Sequence, residues 1–386
     1  MKIAIIHSIY KPEARGGAEV VVENIVNGLK ARGHEVFVVC VGRKNETELI
    51  DGIMIHRIKS CNLFNFLDIN EQPVWKRLIW HIIDMFNDVQ TWRLFRILSR
   101  EKPDLVLTHS LKGLGYEIPK LLKILGIKHI QTVHDMQLIH PSGLLTEAEK
   151  LTWPAVFYSQ ACRWLFGSPG AVVFPSEFIK EIYRQRGYFK ASKLEVLGNP
   201  LQANIKIGVA KEAPSDKFVM AYVGQIEPYK GVIDLIKIAS GLAGEWELLI
   251  AGDGSAMREA TKWSLDNAQI KLLGQLEAGK LEQEIWSKAD LLINPSKTAE
   301  SFGLVVIEAY AHGIPVLASK IGALADLVKE NETGWLFKSG DQLDLKRSIE
   351  FIMSNREQLK AMQANCLNFA EKYQLENYLK RLLELQ

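Results

Sequence analysis

Cysteine is scarce: the four in 386 residues, at positions 40, 61, 162 and 366, stand far apart with no C-x-x-C pair. That scatter excludes a disulfide framework and a cysteine-based zinc site, and reads as reduced thiols in a cytosolic protein. No uninterrupted apolar run reaches the ~18 residues of a membrane-spanning helix. The opening Met-Lys-Ile-Ala-Ile-Ile reads as a first strand, too short for the apolar region of a signal peptide. An excess of one charge is also missing: 47 Lys and Arg stand against 45 Asp and Glu, a formal net charge of +2, which makes no case for a nucleic-acid partner. Neither a serine elbow, an H-E-x-x-H pair nor a P-loop occurs. No G-x-G-x-x-G run is complete, and no acidic residue stands in place for ribose recognition, which disfavours a nicotinamide enzyme. What remains is 47% hydrophobic and 24% charged, ordinary for a soluble α/β protein, at a length where one core normally gives way to two.

Short Val- and Ile-rich runs alternate with helical periodicity, the pattern of βαβ units and parallel sheets. Strands are expected at 2–8, 35–41, 53–58, 104–108, 128–133, 171–175 and 193–197. A polar, aperiodic stretch at 201–216 reads as a linker. The alternation restarts at 218–223, 247–251, 270–273, 290–294, 314–318 and 334–337, and the rest is helical. The expected organisation is a first domain at 1–200, a second at 217–365, and a C-terminal helix at 366–386 crossing back to the first. Both domains are expected to be Rossmann-like and doubly wound, facing a central cleft, with ligands at the carboxyl ends of the strands.

The most informative stretch runs from Asn294 to Ser319. An apolar run ends at Pro295-Ser296, a polar loop follows, and Phe302-Gly303 opens a segment with helical spacing that Gly313 ends before a new strand. Free backbone N–H groups at the Gly303 entrance, with the helix dipole behind them, make an anion site. Glu300 precedes that entrance and Glu308 lies roughly 7.5 Å beyond it along a helix axis. The pair has the form of a glycosidase acid and base, yet its setting in a βα unit fits two hands on one ligand. A phosphate between hydroxyl-rich groups, as in a nucleotide sugar, matches that spread.

Other motifs sit at strand ends. Gly224-Gln225-Ile-Glu-Pro-Tyr-Lys230-Gly231 follows the first strand of the second half and places a lysine just before a helix, where a cation meets phosphate together with backbone N–H groups; an exposed turn lysine is the plain alternative. Gly252-Asp253-Gly254 and Gly16-Gly17 are short glycine turns, which either admit a phosphate or only turn the chain. His134-Asp135 follows the strand at 128–133; a lone histidine there is more often satisfied by local backbone. Trp75, Leu78, Ile79, Ile82, Ile83, Phe86, Val89 and Trp92 recur at helical spacing, followed by Arg93, Arg96 and Arg100. One long helix packed on the core with a solvated basic edge is expected there, with contact to an anionic membrane as the sharper alternative. A second long aromatic helix is expected around 148–166.

Taken together these stretches resemble the family-4 glycosyltransferases of the GT-B fold over nearly the whole chain. Gly16-Gly17-Ala18-Glu19, Gly33-His34-Glu35-Val36, His134-Asp135, Pro175-Ser176-Glu177-Phe178, Asn199-Pro200, Gly224 to Gly231 and Gly252-Asp253-Gly254 fall in the family's order, and Glu300 to Glu308 matches its E-x7-E motif. The resemblance implies retaining transfer of a sugar from a nucleotide-diphosphate donor to a saccharide or lipid-linked acceptor, with no metal and no cofactor, in bacterial surface polysaccharide or glycolipid synthesis. It implies that Glu308 holds the ribose hydroxyls, that backbone at Phe302, Gly303 and Leu304 meets sugar and phosphate, and that Glu300 contacts the donor sugar. Lys230 would neutralise the diphosphate, with Gly224, Gln225 and Gly252 lining it and Gly16 and Gly17 approaching it from the other domain. Leu273 and Gly274 would meet the base, and His134 would act at the reacting centre. Many family members carry arginine where this chain has Gln225. A nucleotide-sugar binding protein or inactive partner subunit, or a nucleotide-sugar epimerase of the same fold, are the competing readings.

Overall fold

The structure, a computed structural model, describes residues 1–13, 16–143, 152–208, 217–265 and 267–386. It divides into two compact units, Met1–Gln202 with Leu375–Gln386, and Ala203–Gln374. Of the expected linker, 209–216 lie outside the described residues, as do Ala14 and Arg15 ahead of Gly16 and residues 148–151 of the expected 148–166 helix, which runs Trp153–Phe166.

Among the described residues the first unit carries eight strands: β1 (Lys2–Ile6), β2 (Glu35–Gly42), β3 (Glu46–Ile50), β4 (Ile53–Lys59), β5 (Leu105–Thr108), β6 (Lys128–Thr132), β7 (Ala171–Phe174) and β8 (Lys193–Val196). Their order is β3-β4-β2-β1-β5-β6-β7-β8, parallel except for the β3–β4 hairpin. Ile3 to Ile6, Val38 to Cys40 and Leu105 to Leu107 are almost completely buried, as strands covered on both faces must be. The second unit carries β9 (Phe218–Val223), β10 (Trp246–Ala251), β11 (Ile270–Gly274), β12 (Leu291–Asn294), β13 (Val316–Ser319) and β14 (Gly334–Phe337), all parallel, in the order β11-β10-β9-β12-β13-β14. Each unit is thus a doubly wound α/β domain. The direction of winding reverses between β1 and β5 in the first and between β9 and β12 in the second, where such sheets bind ligands.

The terminal helix Leu375–Leu383 belongs to the first unit and packs on the helix Gly17–Ala31. The contact is close at Gly28: a Cβ there would lie 2.6 Å from Leu379 Cδ1 and 2.9 Å from Leu375 Cδ2, so a larger residue would require those leucine side chains to shift.

Two expectations are corrected. The 75–100 segment is two helices, Val74–Met85 and Asp88–Glu101. Asn87 makes the break, its side chain accepting from the Gln90 N–H as an N-cap while its amide donates to the Cys61 carbonyl, 3.0 Å away. Nor is the apolar stripe packed on the core. The buried apolar side chains are Trp80, Met85, Leu94 and Leu98, whereas Trp75, Leu78, Ile82, Phe86 and Trp92 are each about half exposed. Helical spacing reports that residues share a face, and leaves open whether the protein or something else covers it. The hairpin partner β3 lay outside expectation because Glu46–Ile50 is a half-exposed, charged edge. Its signal was the Asp51-Gly52 turn, with φ of 51° and 68° at the two residues, the left-handed pair that a tight hairpin needs.

Candidate functional site

In the second unit the loops after β9, β10, β11 and β12 converge. Gly224 follows β9 and Gly252 follows β10, and the two turns touch: a Cβ on Gly252 would lie 1.8 Å from the Gly224 carbonyl oxygen. Gly252 N–H donates to the Gly274 carbonyl at 2.8 Å, which extends the contact to the end of β11. Pairing of β10 with β11 steps from Ile250–Leu272 to Ala251–Gly274, so Leu273 is the extra residue of a bulge and its backbone leaves the ladder. The glycines therefore let three strand ends approach as bare backbone. Gln225 is exposed, and its side-chain oxygen accepts from the Tyr229 hydroxyl at 3.1 Å.

Lys230 lies in a single helical turn, Pro228–Lys230, ahead of the helix Val232–Ala239. Gly231, at φ 73°, joins the two and lies against the end of β12: a Cβ would stand 2.0 Å from the Pro295 carbonyl oxygen. That approach carries Lys230 over the winding reversal between β9 and β12, where its Nζ sits 2.9 Å from Glu300 Oε1. Both side chains are mostly buried, at 24% and 15% exposure, so this ion pair feels less screening than a surface one.

Beyond Glu300, Phe302 is buried with its ring edge-on to Tyr373, 5.6 Å between centroids. Gly303, at φ 116°, is the N-cap of the helix Leu304–Ala311 and supplies no capping side chain, which leaves the entrance N–H groups to other acceptors. A Cβ on Gly303 would crowd Leu324 and Leu327 at 3.0 and 3.3 Å. Glu308 lies within that helix and is buried, whereas Leu304 is half-buried. The structure thus brings together Gly224, Gln225, Lys230, Gly252, Leu273, Gly274, Glu300, Phe302, Gly303, Leu304 and Glu308 on the strand-end side of one sheet.

Gly16, Gly17 and His134 meet in the first unit, where they line a cavity of about 280 Å³. Gly16 is an extended N-cap without a side-chain cap, and Gly17 opens the helix behind it. Sequence reasoning missed the companions of His134. His7 and His109 line the same cavity, each the first residue after a strand, β1 and β5. The Glu19 carboxylate lies 3.5 Å from His7 Nε2. Burial works to raise the Glu19 pKa, but contact with His7 outweighs it and holds the carboxyl below its ordinary range. A histidine directly after a buried strand was the available signal. By contrast, Ser176 of the Pro-Ser-Glu-Phe stretch is a helix cap, accepting from the Ile179 N–H at 3.3 Å.

Residues 15–204 match Glycosyltransferase Family 4, and residues 205–368 match Glycosyl transferases group 1. The chain belongs to the family-4 glycosyltransferases. An uncharacterized 42.6 kDa protein in the cps region of Klebsiella pneumoniae is 26% identical over 333 residues, 85% of this chain and 87% of that one. The lipopolysaccharide 1,2-N-acetylglucosaminetransferase of Salmonella typhimurium is 30% identical over 241 residues, 55% of this chain and 61% of its own. The crystal structure of Anabaena Alr3699/HepE in complex with UDP-glucose superposes with a TM-score of 0.72 at 17% identity, covering 100% of this chain and 98% of the other. Fold and family agree: two Rossmann-like domains of the GT-B type in a group 1 glycosyltransferase.

Proposed function

We propose that this glycosyltransferase moves a sugar from a nucleotide-diphosphate donor, with retention and without a metal ion, to a saccharide or lipid-linked saccharide acceptor of a bacterial surface polysaccharide or glycolipid. The observation that carries this reading is the Lys230–Glu300 pair beside the uncapped helix entrance at Gly303. An entering diphosphate competes with Glu300 for Lys230 and takes the free N–H groups of the entrance. Glu300, released, turns to donor-sugar hydroxyls, while Glu308 holds the ribose. Gly224, Gln225 and Gly252 line the diphosphate with backbone and a neutral amide, and the bulge at Leu273-Gly274 offers backbone to the base. Departing diphosphate charge is stabilised by groups already in place, which is where most of the rate enhancement is expected to arise. UDP-glucose on the Anabaena protein and the saccharide named for the Salmonella relative support the donor and acceptor classes.

A panel of UDP-, GDP- and ADP-sugars tests the reading through thermal stabilisation, since a ligand bound only by the folded state raises its apparent stability. One nucleotide class is expected to raise the Tm. Glu308→Ala is expected to weaken that ligand's binding about 10- to 100-fold, the cost of a buried charge-assisted hydrogen bond at ~1.5–3 kcal/mol. Equal binding by the variant and the parent would sink the assignment.

The reading includes contact with the cytoplasmic face of an anionic membrane through residues 75–100. No helix among the described residues is long and apolar enough to cross a membrane. Trp75, Leu78, Ile82, Phe86 and Trp92 are nonetheless exposed, Arg93, Arg96 and Arg100 follow them in the chain, and the Arg96 guanidinium lies 5.0 Å from the centre of the Trp92 ring. Apolar anchors with neighbouring cations suit the lipid interface, each cation adding about 1 kcal/mol on anionic lipid. Serine at Trp75, Leu78 and Trp92 together is expected to lower partitioning onto phosphatidylglycerol vesicles more than tenfold and to leave the Tm unchanged. Undiminished co-sedimentation would remove the membrane from the proposal.

A further inference from the structure

His312 caps the C-terminal end of the helix Leu304–Ala311, four residues after Glu308, and its side chain folds back onto that helix. The His312 N–H donates to the Ala309 carbonyl at 3.0 Å, and the Glu308 carbonyl, one of the last four of the helix, faces the ring Nδ1 at 2.7 Å. The other ring nitrogen, Nε2, lies 2.7 Å from the Glu282 carboxylate. Glu282 opens a wide helical turn, Glu282–Trp286, in which the Ser287 N–H reaches back to the Glu282 carbonyl at 3.0 Å. Such π-turns recur at functional sites. Trp286 completes the enclosure, its ring stacked on the imidazole with 5.4 Å between centroids and 15° between planes. His312 is 3% exposed, and all of these partners belong to the second unit.

The chemistry of the two partners fixes the protons. A carbonyl oxygen only accepts, so Nδ1 carries a proton. An ionised carboxylate also only accepts, so the Nε2–Glu282 contact needs a proton of its own. A neutral imidazole offers one N–H, one short of what the two acceptors require. The pair therefore holds two protons on Nδ1, Nε2 and the Glu282 oxygen. Glu282 keeps 40% of its side chain exposed to water, which favours its charged form. His312 stands at a helix C-terminus and against an aromatic face, and both settings favour a cation. The second proton belongs on the ring.

We infer that His312 is a positioning residue: with a proton on each nitrogen it pins the helix that carries Glu308 to the Glu282–Trp286 turn, and so sets where Glu308 meets the ribose. The inference rests on the donor reading above, in which Glu308 holds the ribose. The pinned turn follows β11, whose end offers backbone to the base in that reading, through the short helix Ala278–Leu281. His312 thus joins the two parts of the site that hold the nucleoside. Lys230 and Glu300 are paired with each other instead, so the expected loss on cutting the pin is one of donor affinity rather than turnover.

Nitrogen-15 spectra of histidine-labelled protein near neutral pH test the protonation, with the His312 signals assigned by their loss in His312→Phe. The parent is expected to show both ring nitrogens protonated. Glu282→Gln is expected to leave Nδ1 protonated and Nε2 bare, because a carboxamide donates to Nε2 and keeps both hydrogen bonds with a neutral ring. Transfer assays then separate position from charge. Glu282→Ala, which cuts the pin, is expected to raise donor KM about tenfold, the scale of one hydrogen bond to a charged group. Its kcat is expected to stay within about threefold of the parent, the mark of lost binding rather than lost chemistry. His312→Phe keeps a ring on Trp286 and is expected to raise donor KM by at least as much, whereas Glu282→Gln is expected to stay close to the parent. Because Glu282 is partly exposed, its variants carry the test even if the phenylalanine variant folds poorly. A parent His312 with one bare nitrogen, an unchanged donor KM in Glu282→Ala, or equal donor KM for the Ala and Gln variants overturns the inference. Unchanged donor binding in Glu308→Ala would instead defeat the donor-site reading, while the spectra would still decide the protonation of His312.

Discussion

Lys230→Ala is expected to lower kcat/KM for sugar transfer by about 10²- to 10³-fold, the loss seen when one preorganised charge-stabilising group is removed. The ammonium stands at the winding reversal of the second sheet, held there by Gly231 and paired with Glu300 at 2.9 Å. Its removal has a second consequence. Glu300 is then a mostly buried carboxylate with its cation gone, at the place where a diphosphate must arrive, and like charges repel over a distance that water screens poorly. Adding Glu300→Gln to Lys230→Ala is therefore expected to recover part of the lost donor affinity, although the single Glu300→Gln variant loses activity. A double-mutant cycle on donor binding reads that coupling. Folding stability is expected to fall as well, because loss of the cation leaves the mostly buried Glu300 carboxylate uncompensated. Turnover within twofold of the parent in Lys230→Ala would end the assignment of a leaving-group role.

Gly231→Ala carries the largest expected effect on stability. The residue sits at φ 73°, where a side chain costs roughly 1–2 kcal/mol in any setting. Here the added Cβ would also stand 2.0 Å from the Pro295 carbonyl oxygen, well inside contact distance, so the turn bearing Lys230 must move away from the end of β12. Gly244 supplies the control: it has φ 94° with nothing within 4 Å of its would-be Cβ, so its alanine variant reports backbone strain alone. Urea unfolding is expected to show Gly244→Ala down by about 1–2 kcal/mol and Gly231→Ala down by clearly more, with activity lost along with the Lys230 position. Equal losses at the two glycines would show that close packing on Pro295 is unimportant. The Lys-Gly pair is thus one device, a cation and the only residue that allows the backbone approach which aims it.

Much of the architecture was legible because parallel strands buried on both faces are continuous apolar runs, as at Lys2–Ile6, Phe218–Val223 and Leu291–Asn294. The helix entrance at Gly303 was legible for a similar reason, since a glycine between a polar loop and an apolar helix is a local signal. Elements governed by exposure were harder. Glu46–Ile50 pairs only along one edge, and its half-exposed residues alternate with charge, so nothing in its composition demanded a strand. The Asn87 break was carried by a single capping residue inside a periodicity that runs on across it.

By itself, then, the sequence determined the two parallel α/β domains, the strand-end placement of the glycine turns, Lys230, His134 and Glu300, and the family, because these rest on local periodicity and on motif spacing. Only the tertiary structure decided which strand ends are neighbours. Lys230 and Glu300 are seventy residues apart and pair because β9 lies beside β12; His7, His109 and His134 gather because β1, β5 and β6 are adjacent. The exposure of the Trp75–Trp92 stripe was settled in the same way, by which face the rest of the chain covers. Strand order and helix docking are set by crossovers and by packing between distant segments, and no window of sequence contains both partners of such a contact.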